Sequence, residues 1–216
     1  KKNQPNKSKK SHFIYISSIT ARVPWLSYYG ASKRLSENEL EKISGHTILR
    51  PPAIYGPGDT EILTMFKAFK SGFAPSVGLG RNRFSMIYVD DLVEAICSLI
   101  EKPPAKAQIF ELDDGANNGY TIREIANITQ GIFSRKIYTI PVPPLLLTSI
   151  GFLNEIFAKI INKPVMLTHL KAKEILHKDW VVRSNRLEDY TDWVAKTSIK
   201  TGFEKTISWY KDKKLL

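Results

Sequence analysis

Tyr29 and Lys33 stand four residues apart, a spacing that puts a phenol and an ammonium on one helix face about a turn from each other. That pairing suits proton transfer. A free tyrosine titrates near pH ~10 and is a poor base at neutral pH, and a fixed positive charge beside it favours the phenolate. A hydroxyl from Ser17 or Ser18, just upstream, could hold a substrate oxygen against the phenol. The spacing alone is weak, because Tyr210 also precedes a lysine, Lys214, by four in a charged C-terminal segment. Context distinguishes the first pair.

The context is a β-branched and aromatic run over residues 12–16, two serines, a loop with Pro24, and a helix predicted over 27–44. Leu35, Leu40 and Ile43 give that helix its expected apolar face, and Gly45 stops it. A second strand over 47–50 leads into Pro51-Pro52-Ala53-Ile54-Tyr55-Gly56-Pro57-Gly58-Asp59. Further on, the pattern predicts a short helix over 62–70, a loop over 73–82 and a strand over 83–89. Asp90 is expected to cap a helix reaching 101. A strand over 108–112 follows. Thr121 and Glu124 form a capping box for a helix over 122–129, and a strand spans 137–140. The alternation is that of an α/β protein. Residues 145–161 are the most apolar stretch, read as a helix packed within the C-terminal part rather than as a membrane-surface helix, and ended by Pro164. Helices over 171–177 and 203–211 complete the chain.

The Ser-Ser strand end, Tyr-Gly-Ala-Ser-Lys, Leu-Arg-Pro-Pro-Ala-Ile-Tyr-Gly-Pro-Gly and Tyr-Val-Asp-Asp-Leu follow one another in an order that resembles the extended short-chain dehydrogenase/reductase superfamily, NAD-dependent epimerase/dehydratase branch, from about residue 12 onward. The resemblance implies a Rossmann-like parallel sheet, here truncated to its last strands, over 12–140 with interleaved substrate-domain segments. It also implies a smaller, mostly helical substrate-binding part over 141–216. It implies NAD or NADP as cofactor, with Tyr29 as the proton-transferring group. Lys33 would support the phenolate and bind the nicotinamide ribose, Ser18 would orient the substrate oxygen with Ser17 next in line, and the backbone at Pro51 and Pro52 would lie against the nicotinamide. Ala53 falls where many sugar-nucleotide epimerases carry an asparagine, and Arg81 and Arg83 are candidates to hold a substrate phosphate. The segment His177-Lys178-Asp179-Trp180 resembles one near the substrate pocket of relatives. The family's Gly-x-x-Gly-x-x-Gly turn, which seats the cofactor pyrophosphate on a helix N-terminus, is not found in these 216 residues. The expectation is therefore a C-terminal portion, truncated or split.

Composition narrows the class. Forty-three per cent apolar residues suits a globular core, and no apolar run is long enough to span a membrane. One cysteine, Cys97, precludes an intrachain disulfide and a cysteine-cluster metal site; it reads as a buried structural thiol in a reducing cytoplasm, and no metal is expected. The net charge of +11 is concentrated in tails, with five lysines in the first ten residues, so residues 1–11 are expected to be a basic disordered tail. No segment resembles a nucleic-acid module.

Two functions remain. One is an NAD(P)-dependent epimerase/dehydratase-like oxidoreductase acting on a small molecule, a nucleotide sugar being one class, with little activity alone. The other is a non-enzymatic remnant or structural subunit of the same fold. In either case an exposed sheet edge would pair with a separately encoded N-terminal half or with a second copy.

Overall fold

The computed structural model describes residues 11–161, 165 and 167–216; the basic tail through residue 10 and Pro164 lie outside them. The organising unit is a three-stranded parallel sheet built from β1 (Phe13–Ile16), β2 (His46–Arg50) and β7 (Gln108–Glu111), with β2 in the middle, flanked by the other two. In register, Ile16 lies beside Leu49 and Leu49 beside Phe110. The middle strand is buried throughout, as a strand covered on both faces must be. Three further parallel pairs surround it. β3 (Ala53–Tyr55) pairs with β6 (Met86–Tyr88), β4 (Phe73–Ser76) with β8 (Tyr138–Pro141), and β5 (Arg83–Phe84) with β9 (Asp179–Trp180).

The helices are α1 (Tyr28–Leu40), α2 (Thr60–Lys70), α3 (Val89–Glu101), α4 (Ile122–Phe133), α5 (Pro144–Ile161), α6 (His169–Leu176) and α7 (Ile199–Asp212). Local chemistry fixes their starts. Ser27 Oγ accepts from Gly30 N at 3.0 Å and Asp59 from Ile62 N at 2.9 Å. Thr121 and Glu124 form the expected capping box. Two apolar clusters make the core. Tyr55, Phe66, Phe69, Phe203 and Tyr210 fill the space between β3–β6, α2, α4 and α7. Leu49, Ile87, Leu99, Phe110, Leu112 and Trp193 pack under the central sheet.

Several local expectations are corrected. The strand over 83–89 is broken at Ser85, whose N–H reaches Trp180 O at 3.0 Å and whose hydroxyl donates to Asp113 at 2.6 Å. The loop over 73–82 begins with β4, which carries Pro75 as an edge strand can. Asp90 does not cap α3. The helix starts at Val89, and the buried Asp91 accepts from the backbone N–H groups of Lys196 and Thr197 instead. Cys97 is exposed, because α3 buries the stripe Leu92, Ala95 and Leu99 and residue 97 points the other way. The helix expected over 27–44 ends at Leu40, so Ile43 lies beyond it and is exposed; on α1 itself Leu35 is exposed and Leu40 buried. The face turned inward is polar, for a reason given below. The apolar face of α5 is not packed as expected but faces outward. Among the described residues, no helix is long and apolar enough to cross a membrane, and no group of acidic, histidine or cysteine side chains is arranged to hold a metal ion.

Candidate active site

Tyr29, Lys33 and Glu37 follow at intervals of four along α1 and so share one face. That face lies against the C-terminal ends of β1 and β2. Lys33 Nζ donates to Ile16 O at 2.9 Å. Glu37, fully buried, accepts from Ser17 Oγ at 2.5 Å and takes a two-point contact from Arg50, Nε at 2.8 Å and Nη2 at 2.6 Å. A helix anchored through a lysine and a glutamate turns polar groups inward, which is why its leucine at 35 is left outside. Arg50 also approaches Glu111 at 3.9 Å, and Arg22 reaches Glu111 at 3.3 Å and Val181 O at 3.0 Å. Burial pushes the Glu111 carboxyl above its ordinary value, while Arg22 and Arg50 pull it the other way.

Gly30 brings the helix close to the turn after β1. A Cβ there would sit 2.9 Å from Thr20 O, inside van der Waals contact. The close approach sets Tyr29, half exposed, beside Ser18 in one cleft of about 720 Å³. Pro52, Ala53 and Arg83 line the same cleft. Ser18 is buried and accepts at Oγ from Thr20 N at 3.2 Å and Thr20 Oγ1 at 3.0 Å, which leaves its own proton free to be donated. Ser17 faces away, committed to Glu37. The Lys33 ammonium lies 5.7 Å from the Tyr29 ring centroid and 5.2 Å from that of Tyr15. Pro51 is outside the cleft lining; its carbonyl accepts from Ile19 N at 3.0 Å and so fixes the turn that carries Ser18.

The arginines differ. The Arg83 guanidinium is engaged by Asn118 O at 2.6 Å, Gly119 O at 3.0 Å and the Glu124 carboxylate at 3.2 Å. Arg81 is exposed and does not line the cleft.

The cleft also holds Lys171 and Glu174, which the sequence did not single out, and His177 and Trp180, from the segment that resembles one near the substrate pocket of relatives. Lys171, from the first turn of α6, pairs with Glu174 at 3.0 Å and Glu61 at 3.8 Å. Burial alone would lower it, but Glu174, Glu61 and the facing Tyr29 phenol hold it above its ordinary value. His177 is set against Trp180 with ring centroids 4.4 Å apart, and burial together with the Arg22 charge lowers its pKa. Of Lys171 and Glu174 only the spacing was visible beforehand, and an (i, i+3) pair on a basic helix reads as surface charge.

For a nicotinamide cofactor, the residues present fit the nicotinamide-ribose end. Ser18, Tyr29 and Lys33 gather beyond the carboxyl ends of adjacent parallel strands, where open α/β sheets bind such ligands. These 216 residues hold no glycine-rich turn of the family's pattern for the pyrophosphate.

Residues 9–112 match the model of the NAD dependent epimerase/dehydratase family. A ceramide reductase of Caulobacter vibrioides is 34% identical over 203 residues, 93% of this chain and 62% of that protein. A UDP-glucose 4-epimerase of Vibrio cholerae is 22% identical over 187 residues, 82% of this chain and 52% of that protein. The chain thus spans a little over half the length of these curated relatives. Among solved structures, the UDP-glucose 4-epimerase of Thermotoga maritima with UDP-glucose superposes with a TM-score of 0.64 at 17% identity, over 94% of this chain and 64% of that one. The structure of gox2253 superposes with a TM-score of 0.69 at 16% identity, over 94% and 67%. These likenesses establish a Rossmann-like epimerase fold.

Proposed function

Because this chain belongs to the NAD dependent epimerase/dehydratase family, we propose that it carries the catalytic residues of an NAD(P)-dependent oxidoreductase that interconverts a secondary alcohol and a ketone. The observation that carries the reading is the convergence of Ser18 and Tyr29 on one cleft at the ends of β1 and β2, with Lys33 behind the tyrosine.

In this reading Tyr29 exchanges the proton of the substrate hydroxyl, in the direction of oxidation as a base and of reduction as an acid. Ser18 donates to the substrate oxygen. The ammonium groups of Lys33 and Lys171 stabilise negative charge on the phenolic oxygen while the proton is away. Lys33 also binds the nicotinamide ribose, Pro52 forms the wall beside the ring, and Pro51 acts from behind by fixing the turn that carries Ser18. The cofactor, when bound, supplies the hydride acceptor or donor.

The substrate reading favours an amphiphilic hydroxy or keto amide over a nucleotide sugar. The 34% identity to a ceramide reductase extends over nearly the whole chain. Arg83 is already satisfied by protein acceptors, and the cleft carries the carboxylates of Asp59, Glu61 and Glu174, which would repel a diphosphate. Trp180, Ile175, Ile54 and Phe84 offer apolar wall instead.

The test follows cofactor absorbance with the full-length protein offered a long-chain keto amide or UDP-glucose. Turnover of the amide, lost by about 10²-fold or more in Tyr29→Phe, supports the reading. Turnover of UDP-glucose alone would replace the substrate class. Unchanged turnover in Tyr29→Phe would remove the tyrosine from the chemistry.

A further inference from the structure

We infer that the outward face of α5, together with the β4–β8 ribbon that leads into it, docks on the surface of a lipid bilayer bearing anionic headgroups. The inference concerns a surface that does not line the cleft and does not rest on the catalytic reading.

α5 is turned inside out relative to an ordinary surface helix. Leu146, Ile150, Leu153, Phe157 and Ile160 recur at intervals of four and three, which makes one continuous stripe, and all are exposed. Leu145, Phe152 and Ile156 widen it; Leu145 and Ile160 are 78% and 74% exposed. The polar side faces α6. Asn154 Nδ2 donates to Leu167 O at 3.2 Å, and Glu155 accepts from His169 N at 3.0 Å and contacts His169 Nδ1 at 2.8 Å. Gly151 fits so closely that a Cβ would lie 2.6 Å from Thr168 O. These contacts lock the rotation of the helix, so the apolar stripe cannot roll inward without breaking them.

The apolar surface continues beyond the helix. In the β4–β8 ribbon, Phe73 lies beside Tyr138 and Pro75 beside Ile140, and all four are exposed on one side. Pro143 and Pro144 then pass directly into Leu145.

Charge selects the occupant. From residue 135 to residue 154 there is no acidic side chain, and the segment opens with Arg135 and Lys136. The Lys136 ammonium lies over the Tyr138 ring at 5.2 Å. An aromatic with its cation at the rim of an apolar stripe is the arrangement that suits a headgroup boundary, where rings and lysine stems sit in the interface and the charge meets lipid phosphate. The chain as a whole carries +11, which favours approach to an anionic surface. An interface with a second protein of ordinary composition would not call for a 20-residue segment stripped of acids. Docked this way, α6, which lines the cleft through Lys171 and Glu174, is the next layer in from the bilayer.

The experiment is flotation of the full-length protein with vesicles of phosphatidylcholine alone or mixed with phosphatidylglycerol. The expected result is binding to the mixed vesicles, weaker to phosphatidylcholine alone and reduced by salt. The double variant F152E/F157E should lower the bound fraction by about tenfold or more, and Lys136→Glu should abolish the preference for the anionic vesicles. Both change exposed positions, and unchanged thermal unfolding of each variant checks the fold. L145E/I160E serves as a second pair should the first unfold. Failure of the wild type to float with either vesicle, or equal flotation of a folded double variant, would overturn the inference. So would a wild-type oligomer that the double variant dissolves without any vesicle binding, which would assign the face to a second copy of the chain.

Discussion

Arg50 and Glu37 meet as a fully engaged pair beside Ser17, with Nε and Nη2 each on one carboxylate oxygen and Ser17 sharing Oε1. The pair ties the last residue of β2 to the third turn of α1 and so sets the height of Tyr29 and Lys33 over the strand ends. Removing one member leaves the other charge buried. Glu37→Gln is expected to cost about 3 kcal/mol of unfolding free energy, read from urea denaturation, and a loss under about 1 kcal/mol would mean that Arg50 finds water or Glu111 instead.

Adjacent serines should respond differently. Ser18→Ala removes the donor that faces the cleft and is expected to lower kcat by about 10²-fold, at a cost of about 1 kcal/mol of stability for the Thr20 N–H and hydroxyl it also caps. Ser17→Ala removes a hydrogen bond to a buried carboxylate and is expected to cost about 1–2 kcal/mol of stability while kcat stays within a few-fold. Kinetics and denaturation of both variants decide the matter; the reverse pattern would assign the substrate contact to Ser17.

Tyr55 is fully buried, and its hydroxyl finds no hydrogen-bond partner among the described residues. It fits against Gly202, where a Cβ would collide with it. Burial, with Asp114 and Asp91 adding to it, raises its pKa far out of the working range, so it stays neutral. An unpaired hydroxyl costs about 1–3 kcal/mol when buried. Tyr55→Phe keeps the ring contacts with Phe203 and Tyr88 and is expected to raise stability by about 1 kcal/mol. Destabilisation by a similar amount would show that an ordered water serves the hydroxyl.

Asp114 gives a pH dependence with a defined sign. Burial pushes its carboxyl up to about 6, against the pull of the Tyr120 hydroxyl at 2.6 Å and the Ala116 N–H. An acid whose folded pKa exceeds its unfolded value holds its proton more tightly when folded. Its contribution therefore favours the folded state below about pH 4 and is lost as pH rises through about 6. Two units amount to roughly 3 kcal/mol, and partial exposure reduces this to about 1–2 kcal/mol. Relative to wild type, Asp114→Asn should be more stable at pH ~8 than at pH ~4 by that amount, measured by urea midpoints at both. A difference independent of pH would contradict the assignment.

How much of this was legible follows from the range of the interactions. Tyr29, Lys33 and the Ser17-Ser18 pair stood out as candidates because their relation is local, a helical spacing and a strand end about a dozen residues upstream; that Ser18 rather than Ser17 faces the cleft was implied only by the family resemblance. Glu37 could not, since an acid on a helix reads as solvated until Arg50, thirteen residues on, is placed against it. The break of the 83–89 strand at Ser85 depends on Asp113 and Trp180, which no local pattern brings near. For α5 the periodicity of 3.6 was readable, but a period says only that a face exists; the direction it takes came from Gly151, Asn154 and Glu155, three residues with no distinctive local signature.

The four-residue interval shared by Tyr29, Lys33 and Glu37 makes α1 a single ratchet whose teeth are the phenol proposed to react, its neighbouring cation and the structural anchor. One residue inserted or deleted between Lys33 and Glu37 would swing the anchor by about 100° relative to Tyr29 and Lys33. Substitution can tune the three teeth one at a time, but a change of length between them separates the phenol and its cation from the anchor in a single event.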